Sequence, residues 1–342
     1  MSSLESDAVN HVALNAGDRP DLARWRSPLK SFSQARWWSW RGHAVRYYMA
    51  YPQQAPHPPS HRGLEATTTT PMLWLHGFGA NADQWRWNWA PFHRDRPLYA
   101  LDFLGFGGSS QAAVTYSVDQ WVDQVYDFWQ AHIRVPIVLV GHSLGGLVAL
   151  RLATRYPDVV ERLVLLTVPV DRAEVMSVKV NAIASWIEAR FTQPWILKPA
   201  FYLVRRPQTL RRILRSVYQQ HPDCVDDELV QLFSQPPTAW GAARAFCYLA
   251  QSRTQADFAP QVGTLLDQLQ APTLVVWGDR DGVIPIAWGR KVVQPHPRIT
   301  WQELPGAGHC GYDEQPDRVN QMITTWLHPA EGDAIANPAD HS

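Results

Sequence analysis

The 342-residue sequence predicts an α/β fold: a mostly parallel sheet of the eight-strand type, helices on both faces, and a helical cap inserted into the chain. Three observations point there. Short runs of β-branched and other apolar residues, such as 135–140, lack polar alternation, as strands buried on both faces do. Several of these runs end at glycine and give way to helix-patterned segments. Between residues 168 and 269 this alternation stops, and the pattern becomes helical and rich in aromatics.

The elements follow in order. Residues 1–36 are expected to be a flexible polar tail without the apolar stretch of a secretory signal. "WWSWRGHAVRYYMAY" reads as two strands joined at Arg41-Gly42. Residues 52–71, rich in Pro, His and Thr, read as a surface loop. Met72–Leu75 is a short buried strand ending at His76-Gly77, residues 85–92 a short helix, and residues 98–102 a strand running into "FLGFGGSS". Apolar Trp121, Val122, Val125, Phe128 and Trp129 define an amphipathic helix over Val118–His132. A strand at 135–140, a helix at 144–154 and a strand at 163–167 follow. Beyond the insertion stand strands at 273–277 and Ile299–Leu304 and a closing helix at 318–327. Residues 329–342 form a second tail. The expected core is therefore 37–167 with 270–328, and residues 168–269 are the cap over the carboxyl edge of the sheet.

Composition removes several functions. Thirty-one basic residues balance 31 acidic ones, so total charge gives no sign of a nucleic-acid partner. No apolar stretch reaches 18 residues, so no membrane-spanning helix is expected. Cys224, Cys247 and Cys310 are odd in number and lack metal spacing, which fits reduced thiols in a cytoplasmic compartment. His57 with His61, and His93 with His132, have no metal-ligand pattern, so neither metal nor cofactor is expected.

"VPIVLVGHSLGGLVAL" carries the chemistry. A strand must turn into a helix within about one residue, which strains the residue at the apex. Gly141 and Gly145 stand where side chains would collide, and Ser143 sits between them in a G-x-S-x-G elbow. A serine hydroxyl needs a base and an orienting carboxylate, and acyl transfer needs two N–H donors for the developing oxyanion. In "WGDRDGVIP" Asp279 and Asp281 both follow a strand, and Asp171 offers a third carboxylate after the strand at 163–167. "PGAGH" places His309 after the last strand. The loop of "LHGFG" stands where the first oxyanion donor is needed.

"LHGFG", "LDFLGFGGS", "GHSLGG", "WGDRDGVIP" and "PGAGH", in this order, resemble the α/β-hydrolase fold superfamily across residues 37–328. The resemblance implies a triad of Ser143, His309 and Asp281, with Asp281 preferred to Asp279 by the W-G-x-x-D pattern. It also implies an oxyanion hole from the backbone N–H groups of Phe78 and Leu144, with His76 and Gly77 supporting that loop. His142 is expected to pack away from the nucleophile. One departure stands out: many members carry a proline soon after the histidine, where this chain has Cys310-Gly311-Tyr312.

Serine at the elbow implies an acyl-enzyme, unlike the aspartate of dehalogenases and epoxide hydrolases on this fold. The expected function is hydrolysis of a small apolar carboxylic ester by a cofactor-free carboxylesterase-like enzyme. Through "HGFGANADQWRWNWAPF", "RPLYALDFLGFGGSSQ" and the cap's "DDELVQLFSQPP", the chain is also similar to cyanobacterial and plastid pheophytinase-like hydrolases, which implies a phytyl or prenyl ester of a chlorophyll-type pigment as an alternative. A carbon–carbon bond hydrolase is a further alternative, and a non-catalytic ligand receptor on the same fold is one of another class. Residues 189–222 contain seven Lys and Arg residues among aromatics and no acidic residue. That pattern sets weak docking of the cap on an anionic bilayer against pairing of the arginines with Asp223, Asp226, Asp227 and Glu228.

Overall fold

The computed structural model describes residues 33–52, 69–170 and 192–328. The expected tails, His57, His61, Asp171, Arg190 and Phe191 lie wholly or mostly outside these residues. The described chain runs β1 (Arg36–Trp40), β2 (His43–Ala50), β3 (Met72–Leu75), α1 (Trp89–Phe92), β4 (Leu98–Leu101), α2 (Val118–His132), β5 (Ile137–His142), α3 (Leu144–Arg155) and β6 (Val160–Leu166). Five helices follow: α4 (Pro194–Val204), α5 (Pro207–Val217), α6 (Asp227–Ser234), α7 (Ala242–Ser252) and α8 (Val262–Gln268). Then come β7 (Thr273–Gly278), α9 (Ile286–Val292), β8 (Ile299–Leu304), α10 (Gly311–Glu314) and α11 (Pro316–Leu327).

The eight strands form one sheet in the order β1-β2-β4-β3-β5-β6-β7-β8. β2 pairs antiparallel with both neighbours, and every pair from β4 to β8 is parallel. Because side chains alternate along a strand, each strand feeds two cores. Leu73, Leu75, Leu139 and Leu165 face Val122, Val125 and Phe128 of α2 and Val148 and Leu152 of α3. Met72, Trp74, Val138, Val140 and Val164 face Trp85, Trp89, and Val319 and Ile323 of α11. Burial on both faces is why these runs show no polar alternation.

Two elements differ from the expectation. The helix expected at 85–92 is a 3₁₀ turn over Ala82–Trp85 followed by α1. The Asn81 side chain accepts the Asp83 N–H and starts the turn three residues early. β6 begins at Val160, three residues before the expected start, because Glu161 and Arg162 mask its first turn in the sequence. Between β6 and β7 the described residues are helical, as the patterning predicts. No helix of the described residues is long and apolar enough to cross a membrane.

Candidate active site

Ser143 joins β5 directly to α3 with φ of 51°, a conformation rare for a residue with a side chain. Its neighbours make the turn possible. A Cβ on Gly141 would strike the backbone of Gly145, and one on Gly145 would strike the carbonyl of Leu75. The Ser143 N–H is held by the carbonyl of Thr167 at 3.1 Å, so β6 fixes the elbow from the side.

The expected base and acid meet. Nδ1 of His309 lies 2.8 Å from Oδ2 of Asp281, and both residues are buried. The other Asp281 oxygen accepts the N–H groups of Val283 and Ile284, each at 2.8 Å. Asp279 does something else: its Oδ1 takes the Gly306 N–H at 2.7 Å and steadies the turn after β8. His309 and Ser143 line one cavity, with no hydrogen bond joining their side chains. Catalytic contacts are often loose until substrate is bound.

Phe78 and Leu144 border the same cavity, and neither backbone N–H has a partner among the described residues. Leu144 is the first residue of α3, where helix N–H groups point outward unpaired. His76 holds the loop bearing Phe78. Its Nδ1–H donates to the Gly77 carbonyl at 2.8 Å, and its Nε2 accepts the Phe103 N–H at 3.0 Å. Burial pushes the His76 imidazole down to about 4, so it is neutral and does structural work. Gly77 is required because a Cβ there would lie 2.7 Å from Nδ1 of His142.

His142 packs as expected, but beneath His309: its ring stands 4.8 Å from that of His309 and 4.7 Å from that of Tyr312. Its Nε2–H donates to the His309 carbonyl at 3.0 Å. Burial, reinforced by the neighbouring His309, holds its pKa well below the usual histidine value.

Three positioning groups are absent from the sequence expectation. Glu314 accepts the N–H groups of Gly308 at 2.9 Å and Cys310 at 3.1 Å, gripping the chain on both sides of His309. This carboxylate shapes the loop where the usual proline is missing. Asp102 accepts from Arg46 Nε at 2.5 Å, the Ala82 N–H at 2.7 Å and the Gly108 N–H at 2.6 Å, tying the two glycine-rich loops to β2. Arg86 reaches across the site: its Nε lies 2.9 Å from Asp313, and its Nη1 lies 3.0 Å from Asp226 at the start of α6. The glycine-rich "LDFLGFGGS" motif was the available signal for Asp102, whereas no local pattern marks Glu314 or Arg86.

The cavity measures about 710 Å³. Leu147, Phe201, Leu214, Phe233, Phe246 and Phe258 contribute to its largely apolar wall. Arg205 and Arg253 are its only cationic side chains among the described residues, and Arg253 lies over the Phe78 ring. No group of His, Cys, Asp or Glu among the described residues is arranged to hold a metal ion.

This sheet, elbow and buried His–Asp pair define a member of the α/β-hydrolase class, and the family comparison agrees. The chain belongs to the alpha/beta hydrolase family, whose model matches residues 72–322. It is 26% identical over 312 residues to the chloroplastic pheophytinase of Arabidopsis thaliana, covering 79% of this chain and 63% of that protein, less than two thirds of its length. It is 27% identical over 274 residues to 2-hydroxymuconate semialdehyde hydrolase of a Pseudomonas strain, covering 78% of this chain and 89% of the relative. Among solved structures, a thermophilic esterase from Thermogutta terrifontis matches with a TM-score of 0.64 at 22% identity, covering 86% of this chain and 98% of the other.

Proposed function

We propose that this hydrolase cleaves an apolar carboxylic ester through an acyl-enzyme on Ser143. The observation that carries this is a strained serine and a carboxylate-bound histidine lining one apolar cavity. Ser143 Oγ attacks the ester carbonyl carbon while His309 Nε2 takes the hydroxyl proton. Asp281 keeps the His309 proton on Nδ1 and stabilises the imidazolium. The N–H groups of Phe78 and Leu144 receive the oxyanion. Collapse expels the alcohol, which takes the proton from His309. Water then repeats the sequence on the acyl-enzyme and releases the acid.

A phytyl or prenyl ester of a chlorophyll-type pigment is the second reading, favoured by the similarity to pheophytinase and by the volume and apolar wall of the cavity. Carbon–carbon cleavage is supported by the similarity to 2-hydroxymuconate semialdehyde hydrolase alone. A fluorophosphonate probe tests the acyl-enzyme: it should modify Ser143, and modification should vanish in Ser143→Ala. Labelling that persists in that variant overturns the mechanism, and no labelling of the wild-type protein favours a receptor.

A further inference from the structure

Four large hydrophobic residues line the cavity and are also exposed: Phe78, Val204, Ile213 and Val283. They mark its mouth, and two of them belong to the helix pair α4–α5. Each of these helices turns one face to the cavity, through Phe201 and Val204 on α4 and Leu210, Ile213, Leu214 and Val217 on α5. The outer faces are unusual. On α4, Trp195 is 75% exposed and Tyr202 and Leu203 about half exposed, with exposed Lys198 on the same side of the helix. On α5, Arg212 and Arg215 are exposed opposite Leu210 and Leu214, and exposed Arg206 immediately precedes the helix.

Charge separates along the chain. Residues 192–222 hold six Lys and Arg residues and no Asp or Glu, in a protein whose totals balance. Of the downstream carboxylates, Asp227 pairs with Arg211, whereas Asp226 and Glu228 are taken by Arg86. Lys198, Arg206, Arg212 and Arg215 make no ion pair among the described residues. Exposed aromatics interleaved with uncompensated cations match an interface with anionic headgroups below which apolar side chains find acyl chains.

We infer that the α4–α5 face is a docking surface for an anionic lipid bilayer, seating the cavity mouth at the membrane. Arg206, Arg212 and Arg215 meet the headgroups, while Trp195 and Tyr202 enter the interface. The inference goes beyond hydrolysis, because attachment needs no turnover.

The test is co-sedimentation of the full chain with vesicles of equal parts phosphatidylglycerol and phosphatidylcholine, beside vesicles of phosphatidylcholine alone. The wild-type protein should pellet with the anionic vesicles at low salt and be released at high salt. Arg206→Ser/Arg212→Ser/Arg215→Ser should lower partitioning on the order of a hundredfold. Trp195→Ser/Tyr202→Ser should lower it severalfold. Both variants should keep the wild-type rate on a short, water-soluble ester, which separates loss of the surface from loss of the fold or of the catalytic site. The inference is overturned if the wild-type protein stays in the supernatant at low salt, if it binds both vesicles equally, or if the triple variant binds as well as the wild type.

Discussion

Asp281 and Asp279 stand two residues apart after β7, yet only Asp281 reaches His309, at 2.8 Å from its Nδ1. Asp279 points to the Gly306 N–H instead. Asp281→Asn should therefore favour the wrong imidazole tautomer and lower kcat about 10⁴-fold. Asp279→Asn removes a charge from an exposed turn and should change kcat by less than about tenfold while lowering stability slightly. Steady-state kinetics of the two variants decide the assignment, and the reverse order of effects would refute it.

Glu314 supplies what a proline supplies elsewhere, a fixed path for the chain through His309. In Glu314→Ala the N–H groups of Gly308 and Cys310 lose their acceptor and the imidazole loses its fixed position. The expected result is a fall in kcat of roughly 10- to 100-fold with little change in KM, since misplacement harms the transition state more than ground-state binding. Glu314→Gln retains one acceptor oxygen and should recover part of the loss.

Acid should destabilise the fold through His76. Its folded pKa lies near 4, below the ordinary 6.5, because burial disfavours the cation. Between these values the unfolded chain binds the proton and the folded chain does not. Stability is therefore fully present above about pH 6.5 and is lost as pH falls toward 4, by on the order of 3 kcal/mol. His142 shifts the same way and adds to the slope. Thermal unfolding at pH 7.5 and pH 5 should show the drop, and His76→Gln should show a smaller one.

The shape of the cavity predicts selectivity. Leu147 stands one turn beyond Ser143 on α3 and lines the wall. Leu147→Trp should reduce kcat/KM for long-chain p-nitrophenyl esters by at least tenfold and leave the acetate nearly unchanged. Assayed with the wild-type protein, the same series beside a phytylated pigment and a dienoic ring-cleavage product separates the three substrate readings. Preference for acetate with no turnover of the others would contradict an extended apolar site.

Much of the site was legible because it depends on backbone geometry that only glycine permits. Gly141 and Gly145 flank the elbow, and "LHGFG" and "PGAGH" follow β3 and β8. Strands buried on both faces announce themselves as unbroken apolar runs, so Met72–Leu75 falls where expected. Glu314, Asp102 and Arg86 were not legible, since their value lies in partners distant in sequence. A carboxylate that accepts two N–H groups four and six residues upstream looks, in the sequence, like any surface glutamate. His142 was half legible: its packing role could be expected, its bond to His309 could not.

Arg86 has a consequence for how the protein comes apart. One buried guanidinium is shared between Asp226, at the head of α6, and Asp313, in the turn after His309. The Asn81 amide adds a bond to the Leu232 carbonyl on α6, at 2.9 Å. Pulling the helical insertion off the sheet would break the Asp226 half of this bridge and leave Arg86 with Asp313 alone. Together these two links are expected to make the insertion and the sheet melt as a single unit, although the chain enters one from the middle of the other. Calorimetry should record one transition, with calorimetric and van't Hoff enthalpies equal. In Arg86→Met that transition should divide, with the insertion loosening first and the sheet surviving to higher temperature.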